Sequence, residues 1–166
     1  MSDIKQVIVI RTHYPNGKGG FFKPRIGKLI AQGAHASMAV FFKRGSVGAI
    51  WRQGDHGLLF EEEVLEMENV PRPAIFDPGD PALLVLLTSS MKEWVEGRFT
   101  KVVVGCNSES ELRTLYENAE TAYLPCALIE DSGLTEFKNV PTITALAIGP
   151  EEAERIDPIT QHLVLL

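Results

Sequence analysis

Cysteine is scarce: Cys106 and Cys126 are the only two in 166 residues. Two are too few for a disulfide framework or a cysteine-built zinc site. Both fall in or beside apolar runs, where cysteine usually serves as a small buried hydrophobe. Long hydrophobic runs are missing as well. The longest candidate, Ala82 to Leu87, is far shorter than the roughly 20 residues of a membrane span. The first residues lack a basic region followed by an apolar stretch and a small-residue cleavage site. The expectation is a soluble, cytoplasmic protein. Positive charge is also in deficit, with a formal net charge of −6. Proteins that grip nucleic acid by its phosphates usually carry a basic surplus. A local surplus exists even so. Lys18, Lys23, Arg25 and Lys28 lie in a stretch without acids, whereas acids gather at Glu61–Glu63 and Glu151–Glu154. His13 and His56 show no metal-ligand spacing, and His162 reads as a packing or capping residue. No metal site and no cofactor are expected. Gly17-Lys18-Gly19-Gly20 lacks the spacing and the Lys-Ser/Thr ending of a phosphate loop.

What is present is an ordinary globular composition, 45% hydrophobic, at the size of one domain. Val7 to Ile10 is a β-branched run and predicts a buried strand. A Gly- and Pro-rich loop follows from Tyr14 to Pro24. The pattern then predicts a helix from Ile26 to about Phe42. Gly45 to Ser90 is a mixed region of short apolar pieces between glycines and prolines. Met91 to Val95 predicts a short helix and Lys101 to Val104 a strand. Ser108 with Glu111 has capping-box spacing and opens a helix reaching about Ala122. Cys126 to Ile129 and Ile143 to Ile148 predict two more strands, the second closed by Gly149-Pro150. Glu151 to Ile156 predicts a last short helix. This alternation predicts an α/β fold with a mostly parallel sheet. Only a short loop joins the last two strands, so they pair antiparallel if they are neighbours.

Lys28, Gln32 and His35 stand at i, i+4 and i+7, on one face of the predicted helix. Their neighbours are apolar or small. A helix apolar on most sides is usually buried, so this stripe faces a cavity, a partner or water. An ordinary solvent face fits the same spacing. Asp131-Ser132-Gly133-Leu134-Thr135 follows the third strand directly, and ligands favour such strand ends in open α/β sheets. Taken alone, plain turn chemistry is the better account of those residue types. Thr144 lies within the fourth strand, where threonine is common.

Several segments together resemble a known family. Gly27-Lys28-Leu29-Ile30-Ala31-Gln32-Gly33-Ala34-His35-Ala36 resembles the Gly-Lys-x-x-Ala-Gln-x-x-His-Ala helix of the archaeal and eukaryotic type of peptidyl-tRNA hydrolase. Gln6 to Thr12 is similar to that family's first strand and Arg-containing turn. Leu124 to Gly133, with Thr135 in register, is similar to its Leu-x-x-x-Leu-Ile-x-Asp-x-Gly segment. Ala147-Ile148-Gly149-Pro150 and Ile156 to Leu163 match its C-terminal signature. The blocks occur in family order over roughly two thirds of the chain.

The resemblance implies a three-layer α/β sandwich with a four-stranded mixed sheet flanked by helices. It implies a homodimer, and hydrolysis of the ester joining a peptide to tRNA. The implied catalytic residues are Lys28, His35, Asp131, Thr135 and Thr144. Gln32, Arg11, Lys18, Lys23 and Arg25 are the implied substrate-binding residues. Lys28 would stabilise an oxyanion, and Asp131 would position or deprotonate water. The chain differs from the family pattern at His13, at Leu134 between Gly133 and Thr135, and in a longer 16–25 loop. The whole chain, 1–166, reads as one such domain with an insertion at about 45–90. Two other readings remain open on the residues alone. One is a family paralogue hydrolysing another ester or amide, and the other is a non-catalytic module binding RNA or protein.

Overall fold

The structure is a computed structural model that describes residues 3–53, 57–60, 63–65 and 80–166. It divides into two compact units, residues 1–43 with 87–166, and residues 44–86. The first unit contains β1 (Ile4–Arg11), β2 (Tyr14–Pro15), β3 (Phe21–Phe22) and α1 (Ile26–Phe42). The second contains β4 (Gly45–Gln53), β5 (Gly57–Phe60), β6 (Glu63–Leu65) and β7 (Asp80–Val85). The first then resumes with α2 (Ser89–Glu96), β8 (Lys101–Cys106), α3 (Glu109–Thr121), β9 (Cys126–Asp131), β10 (Thr142–Glu152), α4 (Ala153–Thr160) and β11 (Val164–Leu165). Among the described residues, no helix is long and apolar enough to cross a membrane.

The main sheet has the order β11-β8-β1-β10-β9. It is mixed and flanked by helices on both faces, giving the expected three layers. Two expectations are corrected. The sheet has five strands rather than four, because Val164–Leu165, in a short apolar run not predicted as a strand, adds an edge strand. It is also not mostly parallel by pairing. Only β1 with β8 is parallel, while β1–β10, β10–β9 and β11–β8 are antiparallel. The cause is β10, which enters between β1 and β9 instead of joining the edge. The β9–β10 pairing is antiparallel, as their short connection requires.

Side chains alternate along β1. Val7 and Val9 join Val104, Leu112, Leu115, Leu146, Ile148 and Ile156 in a core beneath α3 and α4. Ile8 and Ile10 join Ala36, Val40, Met91, Ala127, Ala145 and Ala147 beneath α1 and α2. The alanines let α1 approach the sheet closely. The Ser108 hydroxyl accepts from the Glu111 N–H and caps α3, as the spacing predicted. The Thr88 hydroxyl accepts from the Met91 N–H and caps α2. β10 runs through Gly149-Pro150 to Glu152, past its expected end, because Ile4 and Lys5 of β1 pair with Glu152 and Glu151. α4 accordingly starts at Ala153, later than Glu151.

The second unit, taken by itself, is a four-stranded antiparallel sheet of order β6-β5-β4-β7. Its sequence had offered only short apolar pieces among turn residues.

Candidate active site

Three separated segments of the first unit converge on one carboxylate. α1 contributes Lys28 and Gln32, one helical turn apart and therefore stacked on one face. β9 ends in Asp131, and the loop after it carries Gly133 and Thr135. β10 contributes Thr144. Its delivery depends on a register shift between Ile143 and Ala145. A bulge re-aims consecutive side chains. Ile143 remains in the α3–α4 core, while Thr144 and Ala145 both turn toward α1.

The Lys28 Nζ donates to Asp131 Oδ2 at 2.5 Å and to Thr135 Oγ1 at 3.2 Å. The Gln32 Nε2 donates to the same Asp131 Oδ2 at 2.7 Å. The Thr144 hydroxyl donates to Gln32 Oε1 at 2.6 Å, which fixes the direction of that amide. The Gly133 N–H donates to Asp131 Oδ1 at 2.9 Å. The Lys28 and Asp131 side chains are only 16% and 12% exposed, so solvent screens this pair little. Burial pushes the Asp131 carboxyl up, but the Lys28 hydrogen bond, the Gly133 N–H, the Lys28 charge and the Gln32 amide together outweigh it. Its pKa therefore lies below the ordinary aspartate value.

The loop after β9 is held by its own backbone. The Asn139 N–H donates to Gly133 O at 2.9 Å. Gly133 has φ +81°, and a Cβ there would stand 2.3 Å from Val140 O. No L side chain fits that position without moving the loop that bears Thr135.

Lys28, Gln32, Asp131, Thr135 and Thr144 are thus brought together, and His35 is not. It lies exposed on α1 and makes no hydrogen bond to the cluster among the described residues. Seven residues return nearly to the same helix face but advance about 10.5 Å along the axis, beyond reach of Asp131. Arg11 is buried. Its guanidinium donates to His13 O, Glu109 and Ile143 O, and lies 4.5 Å over the Tyr14 ring. Lys18, Lys23 and Arg25 are exposed, and Arg25 pairs with Glu136 at 3.5 Å. His13 shares a 2.9 Å hydrogen bond with Thr12. Leu134 and His162 are exposed, and His56 lies outside the described residues.

Sequence reasoning missed Phe137. Its buried ring packs against Tyr14 at 4.7 Å and Phe22 at 6.2 Å, and Lys28 Nζ lies 5.5 Å from its centroid. The signal was the aromatic density around the Gly-rich 14–22 stretch, read only as loop.

The family model described as peptidyl-tRNA hydrolase PTH2 matches residues 4–166. A peptidyl-tRNA hydrolase of Methanocaldococcus jannaschii is 34% identical over 163 residues, covering 98% of this chain and 100% of the relative. One of Methanopyrus kandleri is 33% identical over 162 residues, covering 98% and 97%. One of Thermococcus onnurineus is 46% identical over 75 residues. That stretch is 45% of this chain but 63% of the relative, which is the shorter protein.

Proposed function

Because the chain belongs to the peptidyl-tRNA hydrolase PTH2 family, we propose that the Lys28–Asp131 cluster is the catalytic site of its hydrolysis of peptidyl-tRNA. The reaction adds water to the ester carbonyl. A new C–O bond forms between the water oxygen and the carbonyl carbon, and the bond to the ribose oxygen breaks. The ribose oxygen takes one proton of the water, and the other passes to solvent as the carboxylic acid ionises. The products are a peptide carboxylate and free tRNA. One observation carries the assignment: a lysine and an aspartate, both largely buried, form an ion pair whose partners Gln32 and Gly133 are held in turn by Thr144 and Asn139.

An ammonium has three donors. Asp131 and Thr135 take two of the Lys28 donors, leaving one for the oxyanion that forms on the carbonyl. Charge stabilisation at that atom is often the largest catalytic contribution in acyl transfer. Its three hydrogen bonds and the lowered pKa favour a role for Asp131 in holding Lys28 and orienting the attacking water. Three hydrogen bonds occupy Asp131. A carboxylate has about four acceptor positions, which leaves one for water. Thr144 aligns Gln32, and Gln32 aligns Asp131. Thr135 positions Lys28 and substrate, and His35, exposed one turn further along α1, contacts RNA.

tRNA is the partner in this reaction, and translation places it in the cytoplasm. Lys18, Lys23 and Arg25 meet its phosphates, and Arg11 shapes the turn behind them. A homodimer fits a second feature. Ile26, Ile30, Met38 and Phe42 of α1 form an exposed apolar stripe. It borders a 630 Å³ groove that also reaches Phe99, Val103 and Leu166. A second copy covering that groove accounts for the exposure. Residues 44–86 are an insertion into a single hydrolase domain.

The test is release of tRNA from an N-acetylaminoacyl-tRNA by wild type, Lys28→Ala and Asp131→Ala across a salt series. Turnover lost in both variants, and weakening with salt in the wild type, is the expected result. Variants that turn over normally would remove the site from this cluster.

A further inference from the structure

The stretch between β1 and α1 does more than connect them. β2 and β3 pair as a small hairpin, Tyr14 opposite Phe22 and Pro15 opposite Phe21. The Asn16 side chain closes its turn by accepting from the Lys18 and Gly20 N–H groups at 2.8 and 3.0 Å. Gly17 and Gly19 take φ of +74° and +80° there. One side of the hairpin is anchored. Phe22 lies against Tyr14 and Phe137, and Phe137 is the ring beneath the Lys28 ammonium. The following segment is tied down as well, since the Arg25 N–H donates to Glu136 at 3.3 Å.

The other side is not covered. Phe21 alternates away from Phe22 and is 68% exposed. Among the described residues its one ring contact is edge-on to His13, with centroids 6.3 Å apart and planes 80° to each other. Lys18 and Lys23 are exposed before and after it. No Asp or Glu occurs in sequence between Asp3 and Asp55 in a chain of net charge −6, and among the described residues the nearby acid Glu136 pairs with Arg25 rather than with either lysine. An aromatic face held in water between cations is the combination that binds single-stranded nucleic acid: bases stack on the ring and phosphates meet the cations. A protein partner would have to satisfy the same uncompensated charge with acids, and the proposed reaction already supplies a polyanion with a single-stranded end.

Resting on the reading of this protein as a peptidyl-tRNA hydrolase, the geometry points to the β2–β3 hairpin as a stacking arm for the unpaired 3′ end of tRNA. Phe21 is its platform, and Lys18 and Lys23 are its phosphate contacts. The anchored Phe22 ties the arm to Phe137 and thereby to Lys28. A base stacked on Phe21 is in this way registered against the ester.

The experiment measures KM and kcat for N-acetylaminoacyl-tRNA with wild type, Phe21→Ala and Phe21→Trp. In parallel it follows quenching of a short single-stranded RNA that carries 2-aminopurine near its 3′ end. One lost base–aromatic stack predicts a KM roughly tenfold higher in Phe21→Ala. kcat should stay within about twofold, quenching should disappear, and Phe21→Trp should restore both KM and quenching. Lys18→Ala with Lys23→Ala should flatten the salt dependence of binding. A thermal melt separates misfolding from lost stacking. A folded Phe21→Ala with wild-type KM and quenching overturns the stacking arm while leaving the hydrolase reading intact. A wild type that quenches the RNA through Phe21 but hydrolyses nothing overturns the hydrolase reading and leaves the arm standing.

Discussion

The two faces of the main sheet are built differently. Beneath α3 and α4 the core consists of branched and large aliphatics, Val7, Val9, Leu112, Leu115, Leu146 and Ile148 among them. Beneath α1 the sheet offers alanines, Ala127, Ala145 and Ala147, and α1 answers with Ala36 and a buried Gly33. Small residues bring helix and sheet close enough for side chains to hydrogen-bond between them. Gln32 with Thr144 is one such pair, and Gln6 with Ser37 is another, at 2.6 Å. The first face is optimised for burial. The second gives up apolar area and gains fixed polar geometry. The proposed catalytic cluster sits on the second.

Substitutions can break that division of labour. Lys28→Ala or Asp131→Ala should lower kcat/KM about a hundredfold to a thousandfold, the scale of a lost oxyanion donor. His13→Ala should change it only a few-fold, since His13 stands outside the cluster; steady-state kinetics of the three decides. Leu112→Ala, on the other face, should cost about 2–5 kcal/mol of stability while the folded fraction keeps its kcat. Urea unfolding beside an activity assay would show that separation. Ala147→Leu overpacks the α1 layer and should cost about 1–3 kcal/mol. Here kcat should fall as well, because α1 carries Lys28 and Gln32. Thr144→Val removes the donor to Gln32 Oε1 and should cost about 1–2 kcal/mol, with a smaller loss of kcat.

The pH profile is the mildest test. The Asp131 pKa is depressed on folding, so its stabilising interactions are complete above the unfolded aspartate value. They disappear only as pH falls through the lower folded value. Activity should show no Asp131-dependent decline between pH 7 and about 4. An acid limb near pH 6 that vanishes in Asp131→Asn would contradict the water-orienting role.

Much of this was legible in the sequence for local reasons. Val7–Ile10, Lys101–Val104 and Cys126–Ile129 are strands because β-branched and apolar runs announce buried strands. α1 spans its expected range, and Ser108 caps α3 as its spacing promised. Lys28, Gln32, Asp131 and Thr135 were named from motif blocks, and they meet. What was not legible depends on long-range placement. No local signal inserts β10 between β1 and β9, and none marks the bulge that turns Thr144 toward Gln32. His35 was grouped with Lys28 by the helical period and by the motif helix; the period counts rotation and ignores rise, which sets His35 about 10.5 Å along the axis. The sequence places the polar stripe of α1 against a cavity, a partner or water; it did not announce that the apolar Ile26, Ile30 and Met38 are exposed on the same helix. The β4–β7 sheet escaped because glycines, prolines and charged residues interrupt its apolar pattern, so no clear period-2 run marks its strands.

β11 has a bearing on colloidal behaviour. Val164 and Leu165 pair with Gly105 and Val104, and the Leu166 N–H donates to Val103 O at 3.2 Å. Without them the β8 edge would present unsatisfied backbone groups beside a row of valines, a template for any other strand. Three residues thus act as a stopper, and a strand so short frays readily. The rate at which concentrated samples of this protein form edge-to-edge aggregates should follow the population in which that stopper has lifted, with the active site still intact.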